Sequence, residues 1–175
     1  SYRHFSNNLY NIMRGGVYAD GYNIERDDFK AFVKVWNKEI FAQQSSFLNQ
    51  LPSTINYNEL LTKIEDLNNK DFERLLLEYL PLTYSRRHGD PSRPWNRFSI
   101  EISKEDGSKK LNFEGNWRDI FQNWEALSLS YPEFTESIIA KFVNASTADG
   151  YNPYRITKNG LDWEVLNPDE PFSNI

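Results

Sequence analysis

The sequence predicts a mainly α fold, and three observations carry that expectation. Apolar side chains recur at helical spacing through most of the first eighty residues and again from 116 to 145. Only one stretch, 98–113, alternates in the manner of paired strands. Glycine and proline fall between the periodic segments rather than inside them, as at Gly15-Gly16, Pro52, Pro81 and Pro132.

In chain order, His4 to Arg14 reads as a short helix with Phe5, Leu9, Ile12 and Met13 on one face and Gly15-Gly16 as its stop. Glu25 to Leu51 reads as one long helix whose stripe is Phe29, Phe32, Val33, Trp36, Ile40, Phe47 and Leu51. Its acidic start, Glu25, Asp27 and Asp28, complements the helix dipole, and Pro52 closes it. Asn58 to Leu67 and Lys70 to Tyr79 follow as two shorter helices, the second closed by Pro81.

Periodicity then stops. The stretch 81–97 reads as an arginine-rich loop that holds Arg86, Arg87, His88, Asp90, Arg93 and Arg97 around Pro91, Pro94 and Trp95. Each proline also restricts the residue before it, so the loop is expected to be stiff. Two readings stay open for it: a solvated loop pinned by local salt bridges, or a site for an anion or a polyhydroxylated ligand, since arginine recognises phosphate and carboxylate with fixed geometry. A hairpin is expected at 98–113, turning at Asp106-Gly107. A helix pair spans 116–145, with Phe134, Ile138, Ile139, Phe142 and Val143 inward in its second member, and 146–175 reads as an irregular tail. The whole of 1–175 is expected to form one helical unit, complete or part of something larger.

The densest stretch is Gly115 to Glu125. Asn116 is a natural N-cap, Trp117 the first helical residue, and Asp119 a first-turn carboxylate. Trp117, Ile120, Phe121, Trp124 and Leu127 form an apolar face, opposite Arg118, Asp119, Gln122 and Asn123. That polar face is either solvated surface or one wall of a binding site.

Composition narrows the function. A net charge of -5 and a pI near 5.1 argue against nucleic acid as a partner. Without cysteine, and with only 2 histidines, neither a disulfide framework nor structural zinc is expected. No apolar run has the length of a membrane helix and no targeting signal opens the chain, so no membrane partner is expected and a cytoplasmic setting is favoured. An aromatic share of 15% exceeds what ordinary packing asks for, and aromatic rings also stack on sugars. No serine elbow, P-loop or EF-hand is present, and no cofactor is expected. Asp119, Glu125, Asp149, Asp162 and Glu164 lie beside aromatics, but their spacing singles out no acid–base pair of the kind glycoside hydrolysis requires.

The run Gly115-Asn116-Trp117-Arg118-Asp119-Ile120-Phe121-Gln122 resembles the Trp/Phe-Arg-Asp helix start of glycoside hydrolases and phosphorylases with an (α/α)6-barrel catalytic domain. The cellobiose-phosphorylase-like and glycogen-debranching-like groups are the nearest. His4 to Gly16, Tyr79 to Asp90 and Asp149 to Pro153 resemble segments of large bacterial proteins of the same kind. The resemblance implies part of an (α/α)6 toroid and an oligosaccharide ligand. It implies that Arg118 and Asp119 grip sugar hydroxyls, with Trp117 as their neighbour. Arg86, Arg87, His88 and Asp90 would hold phosphate in a phosphorylase reading, and the Gly150-Tyr151 step, with Arg155 beyond it, would return to the barrel mouth. Twelve helices do not fit in 175 residues, and no general acid is identified. The implied protein is a sugar-holding part of an enzyme, inactive alone, completed by the rest of a larger chain or by an oligomer covering an apolar face. The competing reading is a self-contained helical module that uses its arginine-rich loop for an anionic ligand or an acidic partner. A helical domain without a ligand is the third.

Overall fold

The computed structural model describes residues 20–88, 103–108 and 110–163, together with residues 2, 5, 6 and 9. The described part is mainly helical, with two small antiparallel sheets. Tyr2, Phe5, Ser6 and Leu9 are helical, in line with the first expected helix, but Phe5 and Leu9 are exposed rather than inward. The rest of that helix lies outside the described residues.

Asp20-Gly21-Tyr22-Asn23 makes a tight turn with positive φ at both central residues, 58° at Gly21 and 68° at Tyr22. The turn leads into β1 (Asn23–Glu25), which pairs antiparallel with β2 (Thr54–Asn56), so that the buried Ile24 and Ile55 lie opposite one another. The expected long helix between them is three helices: α1 (Arg26–Trp36), α2 (Lys38–Gln43) and α3 (Ser45–Gln50). Asn37 makes the first break. Its backbone is extended, at φ -153° and ψ 96°, and its Oδ1 accepts the Ile40 amide at 3.0 Å, so one residue ends α1 and caps α2. The apolar stripe continues across both breaks: Phe29, Phe32, Val33, Ile40 and Leu51 are buried, Trp36 and Phe47 are half-buried, and Leu48, outside the expected stripe, is fully buried.

Asparagine starts the next two helices as well. Asn56 Oδ1 accepts the Asn58 amide at the start of α4 (Tyr57–Glu65), and Asn69 Oδ1 accepts the Phe72 amide at the start of α5 (Lys70–His88), both at 3.0 Å. Here the expected boundary is overturned. Pro81 lies inside α5, and the helix carries Arg86, Arg87 and His88 instead of releasing them into a loop at 81. An internal proline costs a helix about 3 kcal/mol. Leu80 and Leu82 on either side of it are at most 1% exposed, and that burial offsets the lost backbone bond.

The turn at Asp106-Gly107 forms, with the Lys104 amide donating to Ser108 O at 2.8 Å, but the strand expected at Leu111 to Phe113 is shifted. β3 is Glu114–Asn116, and its partner comes from the segment expected to be irregular: β4 (Arg155–Thr157), which in turn pairs with β5 (Gly160–Asp162). Residues three apart at 157 and 160 close that hairpin, a local signal hidden by the lack of apolar alternation.

α6 (Trp117–Ser130) starts directly from β3, with the Trp117 amide bonded to Tyr154 O at 3.0 Å. Trp117, Ile120, Trp124 and Leu127 are buried as the periodicity requires. Gly115 permits the tight entry: a Cβ there would stand 2.7 Å from Ile120 Cδ1. A 3-10 turn at Pro132–Phe134 leads to α7 (Thr135–Ala145). This helix is rotated from its expected orientation. Phe134 and Ile138 turn inward as expected, but Ile139 and Val143 are exposed, Phe142 is partly exposed against Trp117 and Phe121, and Ser137, Lys141 and Ala145 take inward positions.

The buried apolar residues join α1, α4, α5, α6 and β4 in one cluster. One polar link crosses it. Tyr79 Oη on α5 donates to Asp28 Oδ2 on α1 at 2.6 Å, and Lys158 Nζ beyond β4 lies 3.0 Å from Asp28 Oδ1 while donating to Leu111 O. Both Asp28 and Tyr79 are buried, so this link ties the N-terminal helices to the C-terminal sheet in a low-dielectric setting.

Candidate functional site

Of the residues singled out in the sequence, Trp117 is clearest in its placement. It is 4% exposed, stacked on Phe142 with centroids 5.7 Å apart and edge-to-face with Phe121 at 4.9 Å. Its ring is occupied by protein packing, as expected of a core aromatic. Arg118 and Asp119 follow it in the first turn of α6, and their side chains lie outside what is described. Arg86, Arg87 and His88 occupy the last turn of α5, and Asp90 lies outside the described residues.

Tyr151 is exposed on the loop before β4. Arg155 sits at the centre of the three-stranded sheet, and its guanidinium reaches a neighbouring strand on each side. Nε donates to Asp162 Oδ2 on β5 at 2.9 Å, and Nη1 pairs with Glu114 on β3. Both carboxylates hold the guanidinium pKa above its usual value, the bond to Asp162 most of all. The arrangement is a clamp across three short strands, and it accounts for this arginine without a ligand.

A cavity of about 360 Å³ lies elsewhere, between α4, α5 and the segment joining α6 to α7. That volume is within the range of small-molecule sites. Its polar lining is Tyr22, Tyr57, Asn58, Tyr131 and Glu133, over an apolar floor that includes Leu61, Leu77 and Phe134.

Three local features of the sequence build it. The Gly21-Tyr22 turn points the chain back so that Tyr22 O accepts the Tyr57 amide at 2.8 Å, placing two tyrosines on adjacent segments. Tyr131 precedes Pro132 at the helix break, and its hydroxyl forms a short hydrogen bond with that of Tyr22. Phe134 tilts against both Tyr57 and Tyr131, with centroids at 6.3 and 5.6 Å.

Tyr22 is the conformational outlier. A bulky side chain at φ 68° is strained, and strain of this kind collects at binding sites where surrounding contacts hold it. Electrostatics sets the kind of ligand. Burial, helped by the negative charge of Glu133, pushes the Tyr57 phenol well above its usual pKa. Burial and the bond to Tyr22 do the same at Tyr131. Both phenols therefore stay neutral, and the surroundings disfavour an anion. Neutral hydroxyls, one amide and aromatic edges suit a neutral polyhydroxylated ring.

None of these cavity residues stands out in the sequence taken alone. The only local signal is a tyrosine following Gly21 in a turn where asparagine or glycine is usual. Among the described residues, no group of three or more His, Asp or Glu is placed to hold a metal ion, and no helix is long and apolar enough to cross a membrane.

The described architecture is mainly helical with a tyrosine-lined cavity, and comparison with known proteins adds a partial lineage. Residues 18–81 match the family model of glycoside hydrolase family 149 insertion domain 1. The match spans β1 to Pro81 and covers less than half of the chain. It relates this segment to glycoside hydrolases, and its description is of an inserted domain rather than a catalytic barrel. No curated protein matches the chain.

Proposed function

We propose that this chain is a sugar-holding, non-catalytic part of a carbohydrate-active protein, and that the tyrosine cavity is where the sugar is held. The observation that carries this reading is the strained Tyr22, fixed through its hydroxyl to Tyr131 and through its backbone to Tyr57 at the wall of a polar-aromatic cavity whose one charged lining residue is the acidic Glu133. Six of the nine lining residues, Tyr22, Tyr57, Asn58, Leu61, Leu77 and Leu80, belong to the segment related to glycoside hydrolases. Tyrosine rings pack on the apolar C–H face of a pyranose while Asn58 and the phenols exchange hydrogen bonds with its hydroxyls.

The finer lineage, an (α/α)6 enzyme of the cellobiose-phosphorylase-like or debranching-like kind, is supported by the Trp117-Arg118-Asp119 helix start. In that reading Arg118 and Asp119 form a second sugar contact at the opposite end of α6, roughly 20 Å from Tyr131 at about 1.5 Å per helical residue.

Calorimetric titration with a panel of neutral oligosaccharides tests the proposal. Leu61→Trp fills the cavity and should abolish binding while the far-ultraviolet dichroism stays unchanged. Asp119→Ala should leave cavity binding intact and reports separately on the other end of the helix. Absence of binding by every sugar in the panel, or undiminished binding by the Leu61→Trp variant, would refute the reading.

A further inference from the structure

The rotated helix α7 exposes a second feature, independent of the tyrosine cavity. Ile139 and Val143 were available to face the core, yet the helix leaves them exposed and presents Lys141 inward instead, only 6% exposed. Lys141 Nζ lies 3.0 Å from the centre of the Trp36 ring and 3.3 Å from Glu78 Oε2, and Glu78 is 7% exposed. Arg74 Nε approaches the other Glu78 oxygen at 3.4 Å.

Around these groups is a cavity of about 180 Å³, lined also by Asn37, Asn144, Leu75 and Leu161. Burying ions is expensive, and an apolar stripe of similar volume would pack there at lower cost. A fold that sets aside the local pattern in this way does so most often at a functional site.

The charges are unbalanced. Among the described residues, Arg74 and Lys141 bring two positive charges to one buried carboxylate, Glu78, and Arg74 also pairs at 4.0 Å with the exposed Asp71, whose charge solvent screens. The lining is also rich in donors. The Asn37 and Asn144 amides accompany the two cations, and Trp36 presents its ring to Lys141. Burial lowers the Lys141 ammonium to about pKa 8 despite the opposing pull of Glu78, so the site as it stands does not fully stabilise its own charge.

We propose that this cavity between α1, α5, α7 and β5 binds one small anion, a tetrahedral oxyanion or a carboxylate, through Lys141 and Arg74. A single added negative charge neutralises the cluster. Arginine supplies directed donors at the mouth and lysine a point charge at the base. The volume admits an ion of the size of phosphate or acetate and excludes a large polyanion. Glu78 holds the two cations in place and at the same time opposes the anion.

That dual role yields a signature which a merely structural ion pair lacks. Inorganic phosphate and acetate, titrated separately by calorimetry into the intact chain at low ionic strength, should show at least one of the two binding at one site per chain. Phosphate alone identifies an oxyanion site, and acetate alone a carboxylate site. Glu78→Gln should tighten that binding severalfold, whereas Arg74→Gln, which alters a half-exposed side chain, should weaken it about tenfold. Lys63→Gln, on the solvated side of α4, should change nothing. Absence of binding by both anions, an Arg74→Gln affinity equal to the parent's, a Glu78→Gln affinity no tighter than the parent's, or an equal loss in Lys63→Gln would each overturn the proposal.

Discussion

Replacing Asp28 with alanine should be among the most damaging single changes to this fold. The carboxylate is buried, accepts a 2.6 Å hydrogen bond from the buried Tyr79 hydroxyl, and lies 3.0 Å from Lys158 Nζ. Truncation leaves the Tyr79 donor unsatisfied in an apolar setting, at a cost of about 2 kcal/mol for a bond to a charged acceptor. The Lys158 contribution is smaller. That side chain is 36% exposed and keeps its bond to Leu111 O, so solvent screening reduces its share to below about 1 kcal/mol. Loss of a first-turn carboxylate from α1 adds a few tenths of a kcal/mol through the helix dipole.

The sum is about 3 kcal/mol, or a melting-temperature drop of roughly 6–12 °C for a chain of this size. Thermal and urea unfolding of Asp28→Ala, Tyr79→Phe and the double variant would measure both the cost and the coupling. The double variant should be less destabilised than the sum of the singles, because each single leaves a buried group without its partner. A loss below about 1 kcal/mol for Asp28→Ala, or strict additivity, would refute the view that this link holds the N-terminal helices to the C-terminal sheet.

Three further outcomes follow from local geometry and charge. Gly115→Ala places a Cβ against the buried Ile120 side chain and should cost about 1–3 kcal/mol in urea unfolding, with part of the loss recovered in an Ile120→Val background that removes Cδ1. Asn37→Ala removes the cap of α2 and should cost about 1 kcal/mol by the same measurement, whereas Asn37→Gly should cost only a few tenths. The third concerns pH. Lys141 has its folded pKa lowered to about 8, below its unfolded value, so between pH 8 and the unfolded pKa the unfolded chain binds more protons and stability rises with pH. The gain from this group should be on the order of 2 kcal/mol by pH 10. Above that, the raised phenols of Tyr57 and Tyr131 act in the opposite sense, since the unfolded tyrosines ionise first. Chemical denaturation across pH 7–10 should show the climb in the parent and its loss in Lys141→Met; parallel curves would refute the assignment.

Much of the architecture follows from the order of residues alone. Helical class, the inward stripes from Phe29 to Leu51 and from Trp117 to Leu127, and the break at Pro132 are consequences of 3.6-residue periodicity and of backbone groups proline cannot supply. Those are local properties, and local reading reaches them. It does not reach features set by partners distant in the chain. Pro81 ends no helix because the core encloses its neighbours. α7 turns Lys141 inward because Glu78, sixty-three residues earlier, is there to meet it. The tyrosine cavity is the extreme case: Tyr22 and Tyr131, 109 residues apart, share a hydrogen bond that neither local sequence announces. Residue order alone sets the helices and the faces available to them. Which polar groups meet out of water is a matter of packing, because the cost of burying a charge or a hydroxyl is met by a partner whose position only the folded chain fixes.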